Sequence, residues 1–374
     1  MREAPVRIDD LRTGRSVLLG FGREGRALEA AMESRAPEVS MEVICDAPPT
    51  VAPRRWPLTV GALDDRILRA DRIIRSPGVP VRLPALELAR KRGIPVTGAS
   101  SLWFGERPRQ PTIAVTGSKG KSTTTSLIAH LLRGSGRSAV VAGNIGVPLI
   151  GQLDVAADWF VVELSSYQLV DLRARPTIGV VTRLFPEHAD WHGSVDAYYV
   201  AKLRLAELLD GAPLWINAGD SNLVQHMQGL DGLRLANRAD GLHGRSDGLW
   251  CGDCREMAAA DWNLRGRHNL DNLALAMAVV ESVIDSTVDS GSGTETASKT
   301  ASTTNSRPGL VQAARSFVSL PHRLEPLDGP AGRLFINDSI ATTPYATRAA
   351  LETFDRPPVL IAGGQERGAD WTPV

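Results

Sequence analysis

TIAVTGSKGKSTTTSLIAHLLR, residues 112–133, decides the fold. Thr112 to Val115 reads as a short buried strand that runs into Thr116-Gly117-Ser118-Lys119-Gly120-Lys121-Ser122-Thr123, and Thr124 to Arg133 reads as a helix. A strand entering a helix through a glycine-rich loop aims backbone N–H groups and the helix dipole at phosphate oxygens. Lys121 adds a point charge, and Ser122 adds a hydroxyl suited to Mg²⁺. The spacing, Gly-x-x-Gly-Lys-Ser, is shorter than the commonest form because position 115 is Val. Strand, loop and helix nonetheless supply what phosphate binding requires.

On the N-terminal side, Ser16 to Gly20 is an apolar run that enters Gly20-x-Gly22-x-x-Gly25, an alanine-rich helical stretch and a second strand, Met41 to Cys45, before Asp46. With a helix expected from Leu83 to Lys91 and a Pro-rich end at 107–111, residues 1–108 read as a small doubly wound α/β domain. The GxGxxG turn suits a dinucleotide or any other diphosphate, since backbone approach and a helix N-terminus are all it uses.

On the C-terminal side, strands are expected at Ala139 to Val141, Trp159 to Glu163, Ile178 to Thr182 and Pro213 to Asn217, the pattern of a parallel sheet. Glu163 closes one strand and His188 follows another, so both face the crevice where such sheets bind ligands. Each is a candidate Mg²⁺ ligand. Residues 285–308, nearly all Ser, Thr and Gly, read as a flexible insertion. Beyond them Phe335 opens a third α/β segment, residues 321–374, with a strand expected at Val359 to Ala362. That segment is too small to stand as an independent domain, so the third domain is expected to be incomplete.

Composition sets the remaining bounds. The chain has 374 residues, 43% of them hydrophobic and 22% charged, with 42 basic against 42 acidic side chains. A balanced charge favours a small-molecule partner over nucleic acid. No apolar run approaches the ~20 residues of a membrane span, and the N-terminus lacks a signal-peptide core, so a cytoplasmic location without membrane insertion is expected. Three cysteines make no disulfide framework, and Cys251-x-x-Cys254 has no second ligand pair at zinc spacing.

Taken in order, Thr116 to Thr123, Gly143-Asn-Ile-Gly146, Glu163-Leu-Ser-Ser, Glu187-His188, Lys202, Gly266-Arg-His-Asn269, His322-Arg323 and Asn337-Asp-Ser339 resemble the motifs of the Mur ligases across essentially the whole chain. The resemblance implies an N-terminal Rossmann-like domain for a UDP-sugar (1–108), a central P-loop ATPase-like parallel-sheet domain for ATP (109–320) and the start of a C-terminal Rossmann-like domain for the amino acid (321–374). It implies a monomer that ligates glutamate to UDP-N-acetylmuramoyl-L-alanine in peptidoglycan synthesis, with ATP and Mg²⁺. Gly117, Ser118, Lys119, Gly120, Lys121, Ser122 and Thr123 match the ATP phosphate loop, and Asn269 and Arg323 match further ATP contacts. Ser122, Glu163, His188 and Lys202 match the metal site, and Lys202 matches the lysine that the family carbamylates. Lys121, Lys202 and His188 thus carry the chemistry.

By the same resemblance Gly22, Arg23, Asp46, Ser76, Pro77 and Gly78 match the uridine-diphosphate pocket, and Asn144, Ser165 and Gln168 match muramoyl contacts. Asp338, Ser339, Thr342 and Arg367 match the glutamate site. Ile340 and Arg367 depart from the common lysines there, which favours L-glutamate over D-glutamate as acceptor. Two rival readings remain, an oxidoreductase resting on GxGxxG and Asp46 alone, and an inactive nucleotide-sugar-binding remnant. The first leaves the Gly117 loop, Glu163 and Lys202 without a role.

Overall fold

The computed structural model describes residues 5–61, 65–289, 299–330, 333–354, 356–364, 371–372 and 374. The chain forms two compact units, Met1–Ser118 with Ser138–Leu214 and Leu230–Gly232, and Lys119–Arg137 with Trp215–Gly229 and Leu233–Val374.

The first unit opens with β1 (Ser16–Leu19), α1 (Arg23–Arg35), β2 (Met41–Cys45), β3 (Leu58–Val60), β4 (Arg72–Arg75), α2 (Pro84–Lys91), β5 (Val96–Thr97) and α3 (Ala99–Glu106). The strands lie in the order β3-β2-β1-β4-β5, all parallel, with Val17 facing Glu42 on one side and Ile73 on the other. Strand order reverses between β1 and β4, so a crevice opens at their carboxyl ends. A core of Val17, Leu19, Ile44, Ile73, Leu86 and Ala89 fills the space under α2.

The unit continues with β6 (Thr112–Thr116). Then α4 (Lys121–Gly134) belongs to the second unit, and the first resumes with β7 (Ala139–Gly143), β8 (Trp159–Glu163), α5 (Ser166–Leu169), β9 (Ile178–Val181), α6 (Ala189–His192) and α7 (Val195–Leu209). These strands run parallel in the order β9-β6-β8-β7, with Ala114 between Val162 and Gly179. Every residue of β6 and β9 is buried, as expected of strands covered on both faces. Since β6 lies between β8 and β9, its carboxyl end is again a switch point, and the Gly117 loop leaves from it.

The second unit holds α4, β10 (Leu214–Asn217) from Trp215 onward, α8 (Ser221–Met227), β11 (Leu233–Ala236), β12 (Leu242–Arg245), β13 (Gly248–Cys251), β14 (Cys254–Ala258), α9 (Arg267–Asp289), α10 (Lys299–Arg315), β15 (Glu325–Asp328), β16 (Leu334–Asn337) and α11 (Pro344–Leu351). Here α4 packs on α9 and α10, where His130 Nε2 meets the Ala313 carbonyl at 2.8 Å, and β12-β13-β14 form an antiparallel meander. Two features differ from expectation. The apolar run 359–362 is not a strand: no ladder partner meets it among the described residues, and Val359 and Ile361 are 92% and 89% exposed. The segment opened by Phe335 begins instead as an antiparallel hairpin, Phe335 facing Leu327, followed by α11.

Both ends of the stretch 285–308 are helical, α9 reaching Asp289 and α10 starting at Lys299, while 290–298 lie outside the described residues. Extending an established helix costs little per residue, so a weak helix former at its end follows the packed turns before it. Arg307 is anchored there by Glu281, with Nε–Oε1 at 2.7 Å.

Candidate functional site

The GxGxxG turn is built as its glycines dictate. Gly20 takes φ +76°, and a Cβ there would press on Val79 at 2.8 Å. Gly25 lies against Phe21 and the Gly20 carbonyl, which lets α1 approach β1, and nothing stands within 4 Å of a Cβ at Gly22, leaving room for a ligand. A cavity of about 810 Å³ opens over this turn. Gly22, Arg23, Asp46, Ser76, Pro77, Gly78 and Asn144 line it together, so seven of the expected substrate contacts share one wall.

That wall is held by a residue that the sequence reading did not single out. Arg75, 2% exposed at the end of β4, donates to the carbonyls of Ser76 and Pro77 at 3.2 Å, Val79 at 2.6 Å and Tyr167 at 2.7 Å, and its Nε meets Asp171. The Ser76-Pro77-Gly78 turn is therefore clamped from beneath. Arg90 gives Asp171 a second partner at 3.0 Å. An arginine ending a buried strand just before Ser-Pro-Gly was the available signal.

Next to the cavity, the strand-end carboxylate Glu163 is 2% exposed. Its Oε1 accepts from Asn144 Nδ2 at 2.6 Å, the Glu163 carbonyl accepts from Asn144 N at 2.9 Å, and Oε2 is buried without a hydrogen-bond partner. Gly143 precedes Asn144 at φ +103°, and a Cβ there would collide with the Glu163 carbonyl, so only glycine permits this approach. Ser165 caps α5 in a capping box with Gln168, whose Nε2 donates to Glu24 across the cavity rim. Burial raises the pKa of Glu24.

His188 and Lys202 converge on Tyr198. The His188 ring lies 5.9 Å from Tyr198 and its Nδ1 is hydrogen-bonded with Tyr167 Oη, 3.0 Å away, with its backbone in the left-handed region at φ 51°. Lys202, 2% exposed, puts Nζ 4.9 Å from the centre of the Tyr198 ring. The Tyr198 hydroxyl donates to Ser118 Oγ at 2.9 Å, and burial raises its pKa. His192, which the sequence did not flag, is buried with Nε2 3.0 Å from Ser166 Oγ. Burial, then Lys202 and His188, hold its pKa down to about 4, so the imidazole is neutral.

The division between the two units falls within the phosphate loop, between Ser118 and Lys119. In the first, Ser118 is fixed: its N–H donates to the Arg183 carbonyl at 2.7 Å and its Oγ to the Phe185 carbonyl at 2.9 Å, and a Cβ on Gly117, at φ +142°, would overlap Thr182 Oγ1. In the second, Gly120 takes φ +87°, and a Cβ there would press on Asn272 Oδ1 at 2.7 Å, a neighbour the sequence reading missed. Asn272 donates to Asn269 Oδ1 at 3.4 Å, and Asn269 Nδ2 caps the Arg265 carbonyl at 2.7 Å. Arg323 donates to Ser122 Oγ at 2.8 Å. Lys119, Lys121 and Thr123 complete the loop, with Lys121 opening α4 and Thr123 buried.

Asp338 accepts from Leu324 N at 3.0 Å, and burial raises its pKa against the opposing pull of Arg323 and Lys119. Ser339, Ile340 and Thr342 are exposed beyond it, and Arg367 lies outside the described residues.

A divalent cation fits the donors present. Mg²⁺ is commonly held by one or two carboxylates together with substrate phosphates rather than by an all-protein cage. Glu163 Oε2 is a buried oxygen lacking a partner, and among the described residues no group of three or more His, Cys, Asp or Glu side chains is placed to hold a metal ion by itself. No described helix is long and apolar enough to cross a membrane.

Residues 115–280 match the model of the Mur ligase middle domain. The chain is 39% identical to a UDP-N-acetylmuramoyl-L-alanine--L-glutamate ligase of Salinispora tropica, over 99% of this chain and 81% of that one. It is 36% identical to the protein of the same name from Xanthomonas euvesicatoria, over 98% and 77%. Among solved structures, it is similar to the UDP-N-acetylmuramate:L-alanyl-gamma-D-glutamyl-meso-diaminopimelate ligase of Neisseria meningitides, with a TM-score of 0.53 and 17% identity over 82% of this chain and 99% of that one. A MurF ligase of Thermotoga maritima in complex with ADP gives 0.51 and 15%, over 92% and 76%.

Proposed function

We infer the reaction from a family placement: the chain belongs to the Mur ligases, ATP-dependent enzymes that form amide bonds. The substrate is UDP-N-acetylmuramoyl-L-alanine and the acceptor is glutamate, L-glutamate in preference to D-glutamate, in peptidoglycan synthesis. One observation carries this reading. Asn144 lines the cavity over the GxGxxG turn and is hydrogen-bonded to the buried Glu163, so a nucleotide-sugar in that cavity comes beside the partner of a carboxylate suited to hold Mg²⁺. The names of the relatives, L-glutamate ligases over nearly the whole chain, support the acceptor.

In this reading residues 1–108 hold the UDP-sugar, 109–320 hold ATP and 321–374 contribute to the glutamate site through Asp338, Ser339, Thr342 and Arg367. Arg23, Ser76, Pro77 and Gly78 take the diphosphate with α1's N-terminus, and Asp46 takes the uridine side. Asn144, Ser165 and Gln168 take the muramoyl end. Backbone N–H groups of the loop from Gly117 to Thr123 hold the triphosphate. Asn269 and Arg323 hold ATP further along the second unit.

The alanyl carboxylate attacks the γ-phosphorus, the bond to the β-phosphate oxygen breaks, and ADP leaves an acyl phosphate. Lys121 offsets charge on the transferring group. The glutamate amine then attacks the acyl carbon, and the tetrahedral intermediate expels phosphate. Glu163, His188, Ser122 and Lys202 are the residues that would hold Mg²⁺, which would supply charge neutralisation at the phosphates. Once Lys202 Nζ has lost its ammonium proton, the neutral amine would add CO₂ and release a second proton, and an oxygen of the resulting carbamate, not the nitrogen, would be the ligand. The Arg323 bond occupies one lone pair of Ser122 Oγ and leaves the second for a cation.

Phosphate release with each glutamate enantiomer tests the acceptor, and exclusive use of D-glutamate would refute the L assignment. Lys121→Ala should abolish ATP turnover while calorimetric binding of UDP persists, and equal loss of both would contradict the separate sites.

A further inference from the structure

We propose that Asn144 is a positioning residue for Glu163, and that Arg23 ties it to the nucleotide cavity so that filling the cavity tightens divalent-cation binding. The proposal rests on the metal and nucleotide-sugar reading above and adds the link between the two. Asn144 makes three hydrogen bonds within the first unit. Its side-chain amide donates to Glu163 Oε1 at 2.6 Å, its N–H donates to the Glu163 carbonyl at 2.9 Å, and its own carbonyl accepts from Arg23 Nη2 at 2.9 Å. One carboxylate oxygen is occupied and the other, Oε2, is left buried and partnerless as the coordinating atom.

A carboxylate fixed in this way loses no rotamer freedom when a cation arrives. Removing an outer-shell hydrogen-bond partner of a metal ligand commonly costs 10–100-fold in affinity.

Arg23 stands at the other end of the bridge. It is exposed, lines the cavity at the start of α1, and spends one N–H on the Asn144 carbonyl. A guanidinium has five donors in a rigid fork, so the others remain for a diphosphate at the helix N-terminus. Without ligand, an exposed arginine holds Asn144 only loosely. A bound diphosphate fixes the guanidinium, the fixed guanidinium holds the Asn144 carbonyl, and the ordering cost is then already met when the cation binds at Glu163. Linkage makes the effect reciprocal, so the cation tightens the diphosphate by the same factor.

The test measures Mn²⁺ binding by electron paramagnetic resonance, with a non-hydrolysable ATP analogue present throughout and UDP as the cavity probe. In the unmodified chain, saturating UDP should tighten Mn²⁺ by on the order of five-fold, and saturating Mn²⁺ should tighten UDP equally. Asn144→Ala should weaken Mn²⁺ by roughly ten-fold without UDP and erase the linkage. Arg23→Ala, an exposed substitution that leaves the core intact, should keep Mn²⁺ affinity without UDP yet lose the linkage at saturating UDP. Linkage that survives in both variants, or is missing from the unmodified chain while both probes bind, overturns the proposal. Failure of UDP to bind at all would instead overturn the nucleotide-sugar reading.

Discussion

Replacing Arg75 by leucine removes the clamp beneath the nucleotide cavity. In the native chain this guanidinium satisfies the carbonyls of Ser76, Pro77, Val79 and Tyr167 and neutralises Asp171, with both charged side chains about 95% or more buried. Breaking a buried ion pair from one side costs about 3–5 kcal/mol, because the surviving charge stays desolvated. Arg90 still meets Asp171 at 3.0 Å, which moves the expectation toward about 3 kcal/mol. In a unit of this size each kcal/mol lowers the melting temperature by about 2–4 °C, so the transition should fall by roughly 6–12 °C. UDP affinity should fall as well, since the Ser76 to Gly78 turn loses its support.

Scanning calorimetry with and without UDP reads both effects. Adding Asp171→Asn to Arg75→Leu removes the stranded charge and should recover part of the loss, a non-additivity that neighbouring residues share. A single variant that melts within about 2 °C of the parent and binds UDP unchanged would refute the clamp.

Three further outcomes are expected. Gly117→Ala places a methyl against Thr182 Oγ1 at a φ of +142°, so it should cost about 1–3 kcal/mol and weaken ATP analogue binding; calorimetry showing unchanged nucleotide affinity would contradict it. His192 titrates near 4 in the fold against an ordinary 6.5, so the unfolded chain takes up its proton first as pH falls. Its contribution is complete above pH 6.5 and is lost toward pH 4, by about 2 kcal/mol at pH 5. Denaturant melts at pH 7 and 5 should show this slope in the parent and a flatter one in His192→Gln. Lys202→Ala should lose activity and regain part of it with added short carboxylates, whereas an unmodified intact mass under bicarbonate together with normal turnover would exclude a carbamate.

The sequence by itself determined what depends on neighbours along the chain. Apolar runs fixed β1, β2, β6, β8 and β9 nearly to the residue, because a strand buried on both faces of a parallel sheet has to be continuously apolar. Gly20 to Gly25 and Gly117 to Ser122 were legible for the same reason, as a glycine that must take positive φ or admit close approach is a local demand. Val359 to Ala362 shows where local reading fails, since an apolar run becomes a strand only if another strand meets it. Arg75 with Asp171, and Arg23 with Asn144, lie 96 and 121 residues apart, and nothing in their local pattern announces the pairing. Tertiary structure alone decided those contacts, because a buried charge or an orphaned carbonyl is satisfied by whatever the fold brings within 3 Å, wherever it stands in the chain.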